Sequence, residues 1–314
     1  MPSNTGSTRH ELISLSDSFL LMGTVVTIRI VGHSGVHEMR ESIDRAIAAM
    51  RAVEATCSRF DDESALRELC RHPGKHMTVP PILYHALRIA REVAEMTDGV
   101  FDPSIGGLLE QQGFNRNYLT GEEVASDIPW DGSVSFRDIT ILDDGETVRL
   151  EKPMLLDLGA VAKGLAVDLA AKEIFGYEGF AIDAGGDVYV SGVDPSGDVW
   201  RVGIEDPVHL DRLLGSVQVQ DLAVCTSGSY KRRSPKAPEV HHLLNPETGE
   251  PVEGLLSCTV VGPQAVLADV AATAAFLLGP EKALPFIESM GLAGLCVTTD
   301  RQVRQTPSMG AYRQ

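Results

Sequence analysis

Helix-like and strand-like segments do not alternate along this chain, and their order is the strongest constraint on its fold. Apolar residues at helical spacing predict helices over 36–57 and 80–97 early in the chain, and over 265–278 and 281–290 late in it. Short β-branched segments crowd the middle, over 179–226. Strict alternation is typical of doubly wound folds, whereas this clustering favours segregated elements. The sequence therefore predicts an α+β fold.

The N-terminal part of the sequence indicates where the domain begins and which compartment the protein occupies. Residues 20–31 predict one strand, and the polar residues 1–16 are expected to form a loose N-terminal segment, which leaves 17–314 as one domain. The polar start has no apolar core of signal-peptide length, and no run of 18 apolar residues suggests a membrane span. We therefore expect a cytoplasmic protein without a membrane span.

The charge and the cysteines exclude several classes of function. The chain has 27 Lys and Arg against 44 Asp and Glu, a net charge of −17, which disfavours nucleic acid as a partner. A substrate carrying phosphates would need a metal ion or local cations to offset this charge. The five cysteines form no CxxC pair, so thiols are favoured over a disulfide framework or a zinc site.

The segment LLDLGAVAKGLAVDLAA, residues 155–171, resembles a phosphate-binding turn. Asp157 ends an apolar run, and Lys163 follows at the start of a helix predicted over 162–175. A helix start offers free N–H groups to an anion, and a lysine beside it adds a positive charge. The spacing is not that of a Walker motif, and a purely structural turn into the helix remains an alternative.

Two further motifs carry groups that suit proton transfer and metal binding. His241 and His242 precede the turn-rich segment LLNPETGEPV (243–252). One of them could act as a general base, or both could be ordinary surface or core residues. Asp269 and Thr273 lie four residues apart and so share one helical face. Their oxygens are of the kind that binds Mg²⁺. Alternatively, Asp269 could only stabilise the first turn of its helix by its interaction with the helix dipole.

Three more clusters have an ordinary structural interpretation beside a functional one. TDGVFDPSIGGLL (97–109) is a helix exit with turn signals, and Gly185-Gly186 in AIDAGGDVYVSG predicts a hairpin or a close approach to a ligand. TSGSYKRR (226–233) places three consecutive cations on an acidic chain, for which a solvated loop is the simplest interpretation.

Taken in order, these segments resemble the ApbE-like family of FAD:protein FMN transferases. The resemblance runs from Met22-Gly23-Thr24 to Gly279 and includes SRFDDESALREL at 58–69. It implies an α+β fold with mixed sheets flanked by helices, as one compact T-fold-like unit. The sequence departs from the family pattern at Asn245, where the family has an aspartate, and at Gln112-Gly113-Phe114, where it has Trp-Gly-Phe.

The resemblance also implies roles for individual residues. Ala160, through its backbone carbonyl, and Asp269 and Thr273, through their side chains, would bind Mg²⁺. His242 would be the catalytic base. The positions that match the FAD site are Met22, Phe60, Val100, Phe101, Asp102, Asp157, Lys163 and Leu243.

The expected activity is the Mg²⁺-dependent transfer of FMN from the substrate FAD to a Thr or Ser hydroxyl of an acceptor flavoprotein subunit, with release of AMP. Such a transfer depends on positioning and charge neutralisation rather than on covalent catalysis. Two alternatives stay open from the sequence. One is an FAD pyrophosphatase, which would use water at the same site, and the other is a non-catalytic FAD-binding protein.

Overall fold

The computed structural model describes residues 12–128, 130 and 132–313 of the chain. Its strands are β1 (Ile13–Leu21), β2 (Thr24–Gly32), β3 (Met77–Thr78), β4 (Ile139–Ile141), β5 (Thr147–Leu150), β6 (Gly179–Ala184), β7 (Val188–Gly192), β8 (Trp200–Glu205), β9 (Leu213–Val219), β10 (Leu222–Gly228), β11 (Leu255–Gly262), β12 (Ala293–Thr298) and β13 (Val303–Gln305). Its α-helices are α1 (Val36–Cys57), α2 (Ala65–Cys70), α3 (Pro81–Met96), α4 (Gly106–Gln111), α5 (Gly159–Glu173), α6 (Ala265–Leu278) and α7 (Ala283–Ser289).

An eight-stranded sheet forms the centre of the fold, with the strand order β1-β2-β6-β7-β10-β11-β12-β13. Two smaller sheets have the orders β3-β5-β4 and β8-β9. The predicted α+β class is confirmed. The pairings between these described strands are all antiparallel, which refines the mixed sheets implied by the family resemblance.

Both faces of the large sheet are covered. Successive side chains of a strand point to opposite faces, so one strand contributes to the core on each side. In β2, Ile28 and Ile30 face a core shared with the helices, while Val31 faces a second core shared with β8 and β9. Helix α6 has twelve buried residues among its fourteen, so it lies inside the helical layer. A Cβ at Gly164 of α5 would lie 2.5 Å from the carbonyl oxygen of Ala265, which shows how closely α5 approaches the start of α6.

Several predicted bounds agree with the structure and others do not. The helices over 36–57 and 265–278 are confirmed, whereas α5 begins at Gly159, three residues before the predicted start. The strand predicted over 20–31 is two strands, because Met22 and Gly23 have positive φ angles of 53° and 74° and turn the chain. Residues 1–11 of the segment predicted to be loose lie outside the described residues. Residues 13–16 were wrongly included in it, since they belong to β1 and pair with β2.

No helix in the described ranges combines the length and hydropathy that crossing a membrane requires.

Candidate functional site

A cavity of about 900 Å³ lies where the sheet, α1, α5 and α6 meet, and it brings together every site residue predicted from the sequence. This volume is at the upper end of the range of ligand pockets, about 300–1,000 Å³. The cavity is therefore large enough for an extended ligand. The predicted residues that line it are Met22, Phe60, Val100, Phe101, Asp102, Asp157, Ala160, Lys163, His242, Leu243, Asp269 and Thr273.

The β1–β2 turn enters the cavity in a conformation that its neighbours hold. Met22 adopts a positive φ, which is unfavourable for a residue with a side chain. Its N–H donates to Oε1 of Glu54 at 2.8 Å, and the hydroxyl of Tyr118 donates to the same oxygen at 2.5 Å. Glu54 therefore fixes the turn, and it has a function that the sequence pattern does not indicate.

Asp157 is held by an arginine that the sequence analysis did not assign to the site. Nε of Arg59 donates to Oδ2 of Asp157 at 2.5 Å, and the N–H of Gly159 donates to Oδ1 at 2.9 Å. Burial alone would raise the pKa of Asp157, but the Arg59 guanidinium and the Gly159 hydrogen bond lower it below its ordinary value. Asp157 is therefore a fixed carboxylate at the entrance to α5.

The loop 100–102 serves both the cavity and the fold. Phe101 and Asp102 are buried and line the cavity. Oδ1 of Asp102 accepts the N–H of Ser104 at 2.8 Å, and Oδ2 accepts the N–H of Phe136 at 2.9 Å. Both carboxylate oxygens of Asp102 thus bind backbone amides, as expected of a residue that shapes the loop.

The charged centre of the site is a cluster of one lysine and two aspartates. Nζ of Lys163 lies 2.5 Å from Oδ2 of Asp187 and 3.0 Å from Oδ2 of Asp269. Burial would lower the pKa of Lys163, but the two carboxylates raise it above its ordinary value. Burial, followed by repulsion from Asp187, raises the pKa of Asp269 to about 7. The cluster combines two carboxylates with one ammonium group and so favours a further cation.

The residues predicted to bind Mg²⁺ have the donor chemistry that this ion prefers. Asp269 and Thr273 lie one turn apart on α6, and both line the cavity. Oγ1 of Thr273 is 2.8 Å from Oγ of Ser227. Oδ2 of Asp269 also accepts the N–H of Gly164 at 3.1 Å. Ala160 lines the same cavity, and a set of carboxylate, hydroxyl and carbonyl oxygens suits a hard cation.

The side chains of the two histidines have different neighbours. His241 packs edge-on against Phe276, with ring centres 5.9 Å apart, and does not line the cavity. His242 lines the cavity, and its Nδ1 is buried without a hydrogen-bond partner among the described residues. Burial, followed by the positive charge of Arg232, lowers the pKa of His242 to about 3. His242 is therefore neutral at physiological pH.

Sequence reasoning missed several charged residues of the cavity. Asp187 follows the predicted Gly185-Gly186 turn directly, and this position after a hairpin turn was the only signal for it. Lys231 and Arg232 belong to the basic segment 226–233, which was interpreted as a solvated loop, yet both line the cavity. The basic segment thus contributes to the site. The six cationic residues of the lining are Arg51, Arg59, Arg116, Lys163, Lys231 and Arg232.

Comparisons with known proteins agree with this arrangement. A protein of Rhodobacter capsulatus named FAD:protein FMN transferase is 35% identical over 248 residues, which cover 76% of this chain and 46% of that protein. The chain thus spans about half the length of this relative. A protein of Treponema pallidum with the same name is 28% identical over 320 residues, covering 94% of this chain and 88% of that protein.

Solved structures show the same fold over nearly the whole chain. The crystal structure of the ApbE protein from Thermotoga maritima superposes with a TM-score of 0.83 at 27% identity, covering 96% of this chain and 100% of that one. The flavin transferase ApbE from Vibrio cholerae, 24% identical, has the same fold with a TM-score of 0.79, covering 96% and 99% of the two chains. The family model described as the ApbE family matches residues 22–296, and the chain belongs to this family.

Proposed function

We propose that this protein is an FAD:protein FMN transferase that needs Mg²⁺ and attaches FMN to a Thr or Ser hydroxyl of an acceptor flavoprotein. The observation that carries the proposal is the convergence of Lys163, Asp269, Thr273 and His242 on one large cavity. Relatives that match most of this chain carry the same activity in their names. The substrate would be FAD, whose diphosphate would lie at the lysine–aspartate cluster.

The reaction exchanges the phosphoanhydride bond of FAD for a phosphoester bond to the acceptor. The acceptor hydroxyl oxygen bonds to the phosphorus of the FMN half, and the bond from that phosphorus to the oxygen bridging to AMP breaks. AMP leaves with the electrons of that bond. The proton of the hydroxyl passes to His242, whose neutral ring has a free lone pair for it. A water molecule in place of the hydroxyl would instead give FMN and AMP.

The chain's own residues account for binding and positioning. Asp269, Thr273 and the Ala160 carbonyl would hold Mg²⁺, which when bound would neutralise charge on the diphosphate. The first N–H groups of α5 and the Lys163 ammonium provide positive potential beside them. Arg232 lines the same cavity and adds a positive charge, whereas Lys231 is paired with Glu205 at 2.7 Å. Because the lining also contains seven Asp and Glu residues, Mg²⁺ would have to supply the remaining positive charge for the diphosphate.

The test is the mass of a recombinant acceptor protein after incubation with the enzyme, FAD and Mg²⁺, together with the AMP released. We expect a mass gain of one FMN per acceptor, with one AMP for each FMN. Release of AMP and FMN without acceptor modification would point to the pyrophosphatase, and FAD binding without AMP would point to the non-catalytic alternative.

Asp269→Asn is the variant that tests the metal site, because it keeps the size of the side chain but removes its charge. We expect it to lose transfer at limiting Mg²⁺ and to regain part of it at high Mg²⁺. Asp168→Asn is the matched control, since Asp168 binds the N–H groups of Ala265 and Val266 at the start of the same helix but does not line the cavity. Full activity of Asp269→Asn at limiting Mg²⁺ would contradict the metal assignment.

The cytoplasm is the compartment we propose. All five cysteines are buried free thiols, which are typical of proteins in reducing compartments. Cell fractionation followed by immunodetection tests this, and recovery in an oxidising compartment would contradict it.

A further inference from the structure

We propose that the acceptor protein docks on an apolar rim at the mouth of the cavity, formed by Leu20, Val25 and Leu119, through apolar side chains that flank its reacting Thr or Ser. This inference rests on the proposed function, because it takes a protein as the second substrate. The rim lies outside the set of residues predicted to bind FAD.

Leu20 and Val25 lie at the turn end of the β1–β2 hairpin. They are direct partners in the strand register, and they are 55% and 58% exposed. The adjacent residues Leu21 and Val26 are buried in the core shared with the helices, so Leu20 and Val25 point to the other face of the sheet. Among the described residues, neither belongs to the core that β8 and β9 form on that face. The hairpin therefore presents an apolar pair at its surface.

The cavity extends to the side of the sheet on which this apolar pair lies. Met22, Gly23 and Thr24, which lie between the two residues in the chain, all line the cavity. Lys231 lines it too and pairs with Glu205 of β8 at 2.7 Å, so the cavity reaches the face that β8 and β9 cover. A group held by the apolar pair would thus lie at the edge of the cavity.

Leu119 extends the rim from a loop that packs against the hairpin turn. A Cβ at Gly23 would lie 3.7 Å from the ring of Tyr118, and Glu54 accepts hydrogen bonds from both the Met22 N–H and the Tyr118 hydroxyl. Leu119, the next residue, is 67% exposed and lines the cavity. The three apolar side chains thus come from two segments that are fixed to each other at the mouth.

The size of the rim indicates a short segment of a partner rather than a second copy of this chain. A stable dimer buries about 800 Å² on each partner, and three side chains offer only a fraction of this. Apolar side chains that are exposed together, unlike those scattered singly, indicate an interaction site. The acceptor hydroxyl has to reach the phosphorus inside the cavity, so the residues on either side of it must lie at the mouth. The rim is the apolar surface that they would meet there.

The test is a variant that removes the apolar character of the hairpin pair but keeps the hairpin. In Leu20→Lys/Val25→Glu the new charges are opposite in sign and directly opposed across the strands, an arrangement that stabilises a hairpin. Transfer to a recombinant flavoprotein acceptor is measured at saturating FAD over a range of acceptor concentrations, and FAD binding is measured by calorimetry. Loss of two partly exposed apolar side chains should raise the KM for the acceptor by about 10- to 100-fold and leave kcat and FAD affinity unchanged.

Two matched variants show whether apolar contact is responsible. Leu20→Val/Val25→Leu exchanges the two side chains and keeps the apolar surface, so the KM for the acceptor should stay close to that of wild type. Ile13→Lys/Val36→Glu makes the same charge changes at exposed apolar residues far from the mouth. Ile13 is at the other end of β1, roughly 23 Å from Leu20 at a rise of about 3.3 Å per residue, and Val36 begins α1, whose other end lines the cavity. This variant should have the wild-type KM.

Leu119→Ser tests the rim without altering the hairpin. Leu119 is exposed in a loop, so its replacement should not affect folding. It should raise the KM for the acceptor by about 10-fold. A wild-type KM for this variant would contradict the proposal even if the hairpin variant did not fold.

The other outcomes are equally decisive. A wild-type KM in Leu20→Lys/Val25→Glu would overturn the proposal, and so would a loss of FAD affinity, which would place the pair in the FAD site. A changed sedimentation coefficient with an unchanged KM would make the rim an interface between copies of this chain instead. If wild type binds FAD but modifies no acceptor, the proposed function fails and this inference fails with it. A modified acceptor with an unchanged KM in the variants contradicts this inference alone.

Discussion

Lys163 has a second role besides the phosphate binding inferred from the sequence. Its ammonium group bridges Asp187 and Asp269, which are 5% and 3% exposed. Without the lysine, two buried carboxylates would face each other with no positive charge between them. The residue therefore joins the β6–β7 turn, α5 and α6 electrostatically at the point where the substrate would bind.

Lys163→Met should consequently destabilise the fold and also weaken FAD binding. Removing one partner of a buried ion pair costs about 3–5 kcal/mol, and at 30% exposure the lysine should fall at or below the lower end. Urea unfolding measures the free energy of unfolding. Lys172→Met, at the other end of α5, is the control and should leave it nearly unchanged. An unaltered unfolding midpoint for Lys163→Met would mean that the cluster adds no stability.

His242 should act as a neutral base over the whole working pH range. Its pKa is lowered to about 3, so the ring binds no proton above about pH 4, and its basic form is present both at pH 5.5 and at pH 8. The ratio of wild-type to His242→Ala transfer rates should therefore stay constant over this range, at about 10², the low end for a general base, because a group whose pKa is about 3 is a weak base. Single-turnover transfer at saturating FAD measures it.

The matched control for this experiment is His241→Ala, which should be mild because His241 does not line the cavity. A ratio that falls below pH 6.5 would show that His242 titrates with an ordinary pKa. A ratio near one would place the base elsewhere, and Asp157 is then the nearest carboxylate of the predicted set.

At the scale of elements, the site depends on how closely α5 approaches α6. A Cβ at Gly164 would lie 2.5 Å both from the carbonyl oxygen of Ala265 and from the Cα of Val266. These are backbone atoms, which cannot move aside as a flexible side chain could. The glycine also donates its N–H to Asp269. The same contact thus sets the helix spacing and the position of the Asp269 carboxylate.

Gly164→Ala should separate the two helices and lower both stability and activity. Overpacking typically costs about 1–3 kcal/mol, and contact with backbone should place this substitution at the upper end. Thermal unfolding and the Mg²⁺ dependence of transfer should both change. Gly35→Ala is the control, because a Cβ there meets nothing within 4 Å and φ is −63°. Wild-type Mg²⁺ dependence in Gly164→Ala would separate the helix contact from the metal site.

Helices were easier to predict from the sequence than strands. The bounds of α1 and α6 follow from apolar spacing, since each helix buries a continuous face. Strand β1 was missed in part because its serines and Asp17 are residue types typical of turns and loops, and these outweighed the alternation of its apolar residues. Strand β11 was not predicted, because it is buried on both faces and its apolar run has no alternation.

The candidate site was predictable only where a motif was recognised. Spacing alone places Asp269 and Thr273 on one face, but the family resemblance was needed to give them a role. Arg59 and Asp187 come from segments distant in sequence from their partners, Asp157 and Lys163, so no local pattern connects them. Contacts of this kind depend on the tertiary fold, which a single sequence does not reveal.

For the molecule as a whole, the acidic surface and the mixed cavity have separate functions. A net charge of −17 keeps the protein away from polyanions, and the six cationic residues of the cavity share its lining with seven Asp and Glu residues, so the cavity alone does not reverse this charge. The remaining excess of carboxylate at Asp187 and Asp269 favours a cation. Binding of FAD and binding of Mg²⁺ should therefore reinforce each other, because each offsets the charge of the other.

This coupling should be visible in the thermal stability of the protein. A ligand that binds only the folded state at 100 times its Kd stabilises by about 2.7 kcal/mol, which for a chain of this size raises Tm by roughly 5 °C. We expect FAD to give this shift in wild type, and Mg²⁺ to increase it further because it tightens FAD binding. In Asp269→Asn the FAD shift should remain while the Mg²⁺ increment disappears, and in Asp168→Asn both should remain. Differential scanning calorimetry measures all three. An equal Mg²⁺ increment in Asp269→Asn and wild type would show that the ion binds away from α6, and additive shifts in wild type would show that the two ligands do not interact.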